Sequence, residues 1–549
     1  MSEETPQEPG KGGAPGWPSS WPLLLFLAFA AVSYGVLQNG LHGPFLSDDG
    51  GYIVSNPYIR VLSMENLVAF FDPASPAQIH AVGNYAPIHL LLHALEYQIF
   101  ADDVFGYHIV NLLAHALCGV LLVALLLRSG VPPVAALLGG AFFVVHPANV
   151  QAVLWISQLK TTASLALGLG ALLALPRRPG LATLLFAVGL LTKASGAAAL
   201  PAAVAFSWAW GTERRDFRWL AGWCALFAAY AVVEFAEFSQ RGWLAGPPAY
   251  ADGLTQLRSV AAYGARYLAM ATTAWGVSAY QEPDPVLSWL DPWWLLSLPL
   301  AALLLWRIVA TLQRREQEGA WWLFAAASWL PISQVFPFRY AMGDHYLYFI
   351  LPGLIGAVLL LLGRVGARLP GAAAPIAIAA SLVVLVLFGW QSSARARLWT
   401  SNILLEVDSV AQHPNGRLAH QHAARRAAVS GDVDSVVAHL RAANLRGLDD
   451  FRVLQGDPGL VPVRADPAFQ AVIEEWAGAW IERARAAGRL TQSELRTVAL
   501  AHLARGELER ADDALQEALA VGGPADDFVR RELAVLREME GRSGGAGTR

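Results

Sequence analysis

Two adjacent carboxylates, Asp48 and Asp49, stand just past an apolar run in the segment Leu46-Ser47-Asp48-Asp49-Gly50-Gly51-Tyr52. At a membrane surface such a pair can divide its labour. One acid stays ionised as a base while the other is oriented by hydrogen bonds or raised in pKa by its neighbour. Alone, the same residues also suit an Asp-Gly turn at a helix end. A second signal is Lys193, in the break Thr192-Lys193-Ala194-Ser195-Gly196 between two short apolar runs. Broken backbone at membrane depth is tolerated only against protein or a watery cavity, which is where Lys193 is expected. The chain has three lysines, Lys11, Lys160 and Lys193, and otherwise uses arginine. Lys193 therefore reads either as a functional cation or as a snorkelling anchor. His89 and His93 are one helical turn apart, and His108 and His115 two turns apart. Both spacings suit polar packing between helices better than metal ligation, and no metal site is expected.

The elements that must position these groups follow from the distribution of charge. Of 549 residues, 55% are hydrophobic and 15% charged. Residues 391–549 hold 20 of the 39 basic and 22 of the 43 acidic side chains. The first part suits a polytopic membrane protein and the second a soluble helical domain. Apolar runs near the length of a crossing fall at 22–39, 106–127, 134–148, 162–176, 181–192, 196–210, 219–237, 292–311, 320–336, 346–362 and 374–390. Eleven spans are expected. The run 258–276 carries Arg258, Arg266, Tyr263 and Tyr267 and is expected to be interfacial or re-entrant. With the N-terminus inside, the inner turns carry Arg128, Arg177, Arg178, Arg214, Arg215, Arg218, Arg307, Arg314, Arg315, Arg364 and Arg368, a positive-inside bias. The loop 40–105 and residues 391–549 then lie outside together. Asn84–Phe100 reads as an amphipathic helix in the interface.

A net charge of -4 without a basic stripe excludes nucleic acid as a partner. Cys118 and Cys224 lie in apolar runs and act as small hydrophobes. In the charged part, Ala424, Gly431, Val436 and Ala443 repeat the spacing of Ala499, Gly506, Ala511 and Ala518. Small residues around a turn glycine are the mark of tetratricopeptide-like helix pairs, which form concave surfaces for peptides or proteins. The expected organisation is a cytoplasmic polar tail at 1–21, a membrane domain at 22–390, a helical domain at 391–540 and a flexible tail at 541–549.

One ordered series of motifs goes further. It runs Asp48-Asp49 and Asn56, Tyr85-x-Pro87, Phe105-Gly106-Tyr107-His108-x-x-Asn111-x-x-x-His115, His146-Pro147-x-x-x-Gln151-x-x-x-Trp155-Ile156-Ser157, Leu191-Thr192-Lys193, Arg266-Tyr267 and Asp344-x-Tyr346-Leu347-Tyr348. This series resembles the TMTC-type transmembrane and tetratricopeptide-repeat proteins of the GT-C glycosyltransferase superfamily, which are related to protein O-mannosyltransferases. The resemblance covers most of residues 40–400. It implies an all-α fold, with a GT-C-like bundle of about eleven spans followed by a tetratricopeptide-like domain. It also implies transfer of a monosaccharide from a polyprenyl-phosphate carrier to a hydroxyl of a protein or glycan acceptor on the extracytoplasmic face. No separate cofactor is expected beyond the lipid-linked donor, and the partners are that donor, the acceptor, membrane lipid and a protein at the repeats. The resemblance maps the catalytic acid onto Asp48 and Asp49. Lys193, with His345 or Arg339 next, is the cation for the leaving phosphate, and Asp344, Tyr85 and His146 complete the substrate-binding set. Arginine-for-lysine usage and compactness suggest a bacterial inner membrane.

The chain also departs from the pattern. The family usually carries arginine at Ala86, Leu159 and His345, glutamate at Gln151 and Ala194, and an acid at Thr161. Either the enzyme is altered, as the survival of Asp48, Asp49, Lys193 and Asp344 favours, or it is an inactive scaffold that recruits partners through its repeats.

Overall fold

The computed structural model describes residues 20–81, 84–211, 217–241, 250–336, 340–368, 373–486, 488, 490–522 and 525–545. Every regular element among the described residues is helical. In the first part, α1 (Trp21–Leu37) leads into the first loop, which carries α2 (Met64–Phe71) and α3 (Pro87–Phe100). There follow α4 (Val104–Arg128), α5 (Pro133–Val145), the short α6 (Asn149–Leu154), α7 (Leu159–Ala174), α8 (Pro179–Thr192), α9 (Ala199–Ala209) and α10 (Phe217–Arg241). Then come α11 (Gly253–Thr273), α12 (Pro292–Gln313), α13 (Gln317–Trp329), α14 (Asp344–Gly366) and α15 (Ala373–Ala396).

Five of these, α4, α10, α12, α14 and α15, are long and apolar enough to cross a membrane among the described residues. The other six stretches read as crossings fall on helices of 17 residues or fewer. At 1.5 Å per residue, a 13-residue helix such as α5 covers only about 20 Å. Hydropathy reports that a segment avoids water, and packing inside a bundle satisfies that demand as well as lipid does. The outer faces of α12 and α15 remain bare, with Leu305 and Val386 64% and 72% exposed. Rows of exposed leucine and valine at that scale require an apolar surrounding. The helix α11 is not among the five; its Arg258 is buried and donates to the Val286 carbonyl at 3.1 Å.

Close approach of α13 and α14 depends on a missing side chain. A Cβ at Gly353 would stand 2.5 Å from the Ala325 nitrogen and 2.8 Å from its Cα. Backbone cannot swing aside as a side chain can. Gly353→Val is expected to push the two helices apart at a cost of about 1–3 kcal/mol. A thermal melt of the detergent-solubilised protein should show the lowered midpoint, and an unchanged midpoint would refute the close-contact argument.

Two of the longest helices also define direction. The helix α14 starts at Asp344 and, over 23 residues, ends beside Arg364, about 34 Å away. At that far end Glu318, itself buried, pairs with Arg307 at 2.5 Å and Arg364 at 2.8 Å. Arg364 also reaches Glu316 at 2.6 Å. Arg307 and Arg364, two of the arginines assigned to the inner side by sequence, therefore meet at this end of the bundle.

The charged part folds as α16 (Asn402–Gln412), α17 (Arg417–Val429), α18 (Val433–Asn444), α19 (Phe451–Gly456), α20 (Pro467–Ala486), α21 (Gln492–Ala504), α22 (Leu508–Val521) and α23 (Asp526–Gly545). Pairs α17/α18 and α21/α22 are the two stretches with matched spacing. Gly431 and Gly506 turn the chain with φ of 71° and 72°, a region that suits glycine. Ala424, Val436, Ala443, Ala499, Ala511 and Ala518 are buried between the paired helices. The helix α23 runs to Gly545, beyond the tail expected from 541, even though Gly541, Gly544 and Gly545 each cost about 1 kcal/mol within a helix.

This domain is fastened to the segment between α11 and α12. Asp408 accepts from the Ala279 nitrogen at 2.9 Å and pairs with Arg395 at 3.1 Å. Glu282 pairs with Arg417, and Asp284 with Arg446. Asp408→Ala strips the Ala279 N–H and the Arg395 guanidinium of a shared, largely buried acceptor. The expected result is faster proteolytic release of residues after 400 under native conditions. Cleavage at the wild-type rate would count against this clasp.

Candidate functional site

The first loop enters its turn at the acidic pair. The Asp48 carbonyl accepts from the Gly51 and Tyr52 nitrogens at 2.9 and 3.0 Å, and Gly50–Val54 forms one π-helical turn. Single π turns often mark functional positions because they re-aim side chains. Here the π turn starts directly after the two acids, whose surroundings differ. Asp49 is buried and held on both oxygens, accepting from the Leu46 nitrogen at 2.9 Å and the Ser157 nitrogen at 2.8 Å. Burial pushes its carboxyl up to about 6, against the pull of those two N–H groups. Asp48 is partly exposed. Its charge acts on Tyr52, Lys160 and Tyr346, so it faces the same space as all three.

Lys193 occupies the break between α8 and the turn Ala194–Ala198, with extended backbone. Its ammonium donates to Thr161 Oγ1 at 2.6 Å and to Gln158 Oε1 at 3.5 Å, and lies 5.9 Å from the centre of the Tyr346 ring. Thr161 in turn donates to Gln158 at 2.6 Å. One position before it, Lys160 is buried at the start of α7 and donates to the Tyr52 hydroxyl at 2.8 Å. The Tyr52 hydroxyl in turn donates to the Ala81 carbonyl at 2.7 Å. The two ammonium groups are close enough to repel one another.

His345 joins this group. Its ring Nδ1 and backbone nitrogen both reach Gln151 Oε1, at 3.0 and 2.8 Å, and its ring feels the charges of Lys193 and Lys160. Gln151 donates from its amide to the Ala279 carbonyl at 2.8 Å, which a glutamate could not do. Thr161 likewise serves Lys193 as a neutral acceptor. Gln151 and Thr161, neutral where the TMTC-type motif series has acids, are thus both built into hydrogen bonds.

Asp344 is close by but occupied. It accepts from Gln281 at 2.7 Å and from the Ser278 nitrogen at 3.3 Å, which ties down the segment the C-terminal domain grips. Tyr85 and His146 lie apart from the lysines. Tyr85 donates to the Phe71 carbonyl at 2.8 Å, while its backbone nitrogen meets Glu234 at 2.7 Å. His146 bridges the Ala271 carbonyl and the Ala148 nitrogen between Phe142 and Phe388. Arg339 lies outside the described residues.

On α3, His93 Nδ1 meets Glu96 at 2.7 Å, and the His89 ring stacks 4.3 Å from His93 and edge-on to Tyr52 at 4.6 Å. His89 is fully buried, with the Ser157 backbone bonding to its ring. Burial, reinforced by His93 and both lysines, holds it well below the usual histidine range and hence neutral. His108 and His115 bond to the Gly43 carbonyl and to Tyr348 and the Val144 carbonyl, which is the packing role expected of them.

Sequence reasoning singled out Lys193 and read His89 as a packing residue, but assigned no role to Tyr52, Lys160 or Gln158. The scarcity of lysine was the available signal for Lys160. No protein-family model matches the chain, and no curated protein is significantly similar to it.

Proposed function

We propose that this chain is an integral-membrane glycosyltransferase that moves a monosaccharide from a polyprenyl-phosphate carrier to a hydroxyl acceptor on the extracytoplasmic face, as its resemblance to TMTC-type GT-C enzymes implies. The observation that carries the reading is the contrast within the acidic pair. Asp49 is buried and pinned, whereas Asp48 is partly open and its charge acts on Lys160. In the reaction, the acceptor oxygen attacks the anomeric carbon as Asp48 takes its proton. The bond from that carbon to the phosphate oxygen breaks, and its electron pair leaves with the phosphate. Lys193 stabilises that charge, and charge stabilisation of this kind is commonly the largest single contribution to catalysis.

On this reading the arginine-rich end of α14 faces the cytoplasm, and about eleven segments enter or cross a bacterial inner membrane. Residues 391–540 form a tetratricopeptide-like extracytoplasmic domain that handles a protein or glycan acceptor. A cavity of about 310 Å³ between that domain and the bundle, lined by Tyr263, Tyr340, Arg417 and His420, suits such a role. The test is transfer of labelled sugar from polyprenyl-phosphate donors in membranes containing wild type or the Asp48→Asn, Asp49→Asn double variant. Full transfer by the double variant would sink the reading.

A further inference from the structure

The helix α12 closes with a backbone pattern that elsewhere in the chain falls on glycine. The Arg315 nitrogen donates to the Leu312 carbonyl at 3.0 Å and the Glu316 nitrogen to the Thr311 carbonyl at 2.9 Å. This pair of bonds places the residue just past the helix in the left-handed region, and Arg315 stands there with φ of 55°. The same pair closes the helices that end at Gly130, Gly431, Gly447 and Gly506. Glycine has no Cβ to strain in that conformation, whereas arginine has. Local geometry favours glycine at 315, so the reason for arginine lies in its side chain.

That side chain is placed without being paired. Its guanidinium lies 4.2 Å from the centre of the Trp208 ring, and the Trp208 indole N–H is fixed on the Leu312 carbonyl at 3.2 Å. Contact with a ring face leaves the N–H donors of a guanidinium free to meet an anion. Among the described residues, neither Arg315 nor the neighbouring Arg314 has a hydrogen-bonded or acidic side-chain partner, and both are exposed. Glu316 and Glu318, the described acids at this end of the bundle, are taken by Arg364 and Arg307. The corner lies where α12, long and apolar enough to cross a membrane, reaches its surface. Below it the exposed side chains are apolar. Trp208 and Val204, one turn apart on α9, are 44% and 40% exposed, and Val309 and Leu305 on α12 are 44% and 64% exposed. Leu305 is about 15 Å from Arg315 along the helix, half of the roughly 30 Å hydrocarbon core.

We propose that Arg315 and Trp208 form the headgroup site of an anionic phospholipid, one of whose acyl chains lies along Val204, Val309 and Leu305. The free guanidinium donors suit the oxygens of a phosphate diester, and the indole marks the level at which headgroup gives way to hydrocarbon. Arg314 adds a second cation beside the first. Together they favour a lipid of net negative charge over a zwitterionic one, whose own amine they repel. The site is at the opposite end of the bundle from Asp344, next to the Glu316–Arg364 pair, and does not rest on the transferase reading.

The experiment delipidates the full chain in a neutral detergent and adds phosphatidylglycerol, phosphatidylcholine or glycerophosphoglycerol, the first lipid's headgroup without its chains. Native mass spectrometry reads binding, and a thermal melt reads its effect on the fold. Phosphatidylglycerol is expected to bind and to raise the midpoint, phosphatidylcholine to bind more weakly and the free headgroup not measurably. Arg315→Gly should lower the affinity for phosphatidylglycerol by at least about tenfold, the scale of a lost charge-assisted hydrogen bond. The same variant relieves the left-handed turn, so its midpoint without lipid should be unchanged or higher. Trp208→Leu, which keeps an apolar side chain, should weaken binding less. Wild-type affinity in Arg315→Gly would overturn the site, and equal affinity for the two lipids would overturn its preference for an anion. A free headgroup that binds as tightly as the lipid would overturn the acyl-chain contact. A lowered midpoint of Arg315→Gly in lipid-free detergent would show that the arginine serves the helix end itself, which would also overturn the proposal.

Discussion

Asp48→Asn is expected to lower sugar transfer by about 10²–10⁴-fold, the range that a positioned general base contributes. Asparagine has nearly the same shape but cannot accept a proton, so the loss should fall on kcat with little change in the apparent affinity for the donor. The division within the pair is what makes this prediction sharp. Asp49 already spends its oxygens on Leu46 and Ser157, and it cannot substitute for its neighbour without releasing a buried N–H. Asp48→Glu keeps a carboxylate but extends it by one methylene, and it should recover part of the rate. Initial rates from membranes matched for protein content decide the matter. Equal loss in the Asn and Glu variants would point to a structural role for Asp48 and away from proton transfer.

Parts of this site were legible because local chemistry and burial agree there. The break around Lys193 sits between two apolar runs, and Gly431 and Gly506 stand at fixed distances from buried alanines, so spacing alone located all three. Tyr85 and His146 belonged to the same motif series as Asp48, yet their side chains serve the backbone of Phe71 and Ala271. A motif identifies residues that the fold needs as readily as residues that the chemistry needs. Lys160 was visible only as a count, because its partner Tyr52 is 108 positions earlier in the sequence and no periodic pattern links them. The six shorter helices are not told apart from the five long ones by hydropathy for a related reason, since a window of apolar residues carries no information about what covers it.

The acid that does not react should govern how the protein responds to pH. In the folded chain Asp49 titrates near 6, against 3.8 for an ordinary aspartate. Its pKa is raised, so between those values the folded state binds more protons than the unfolded state. Stability therefore falls as pH rises from about 4 to about 6 and levels off above, the opposite of a salt-bridged aspartate. The shift corresponds to about 3 kcal/mol. Asp49→Asn has no such proton to lose. The stability of wild type minus that of Asp49→Asn should thus drop by about 3 kcal/mol between pH 4 and pH 7, and taking the difference cancels the histidines and other acids that titrate in both proteins. Thermal midpoints in detergent across that range provide the measurement, and parallel curves would show that Asp49 is not held in the environment described. The same ionisation bears on activity. The ionised carboxylate is the better acceptor for the Leu46 and Ser157 N–H groups, which fix the turn that aims Asp48. Transfer should therefore rise through pH 6 as Asp49 loses its proton, so the protein trades stability for an aligned base over the same pH interval.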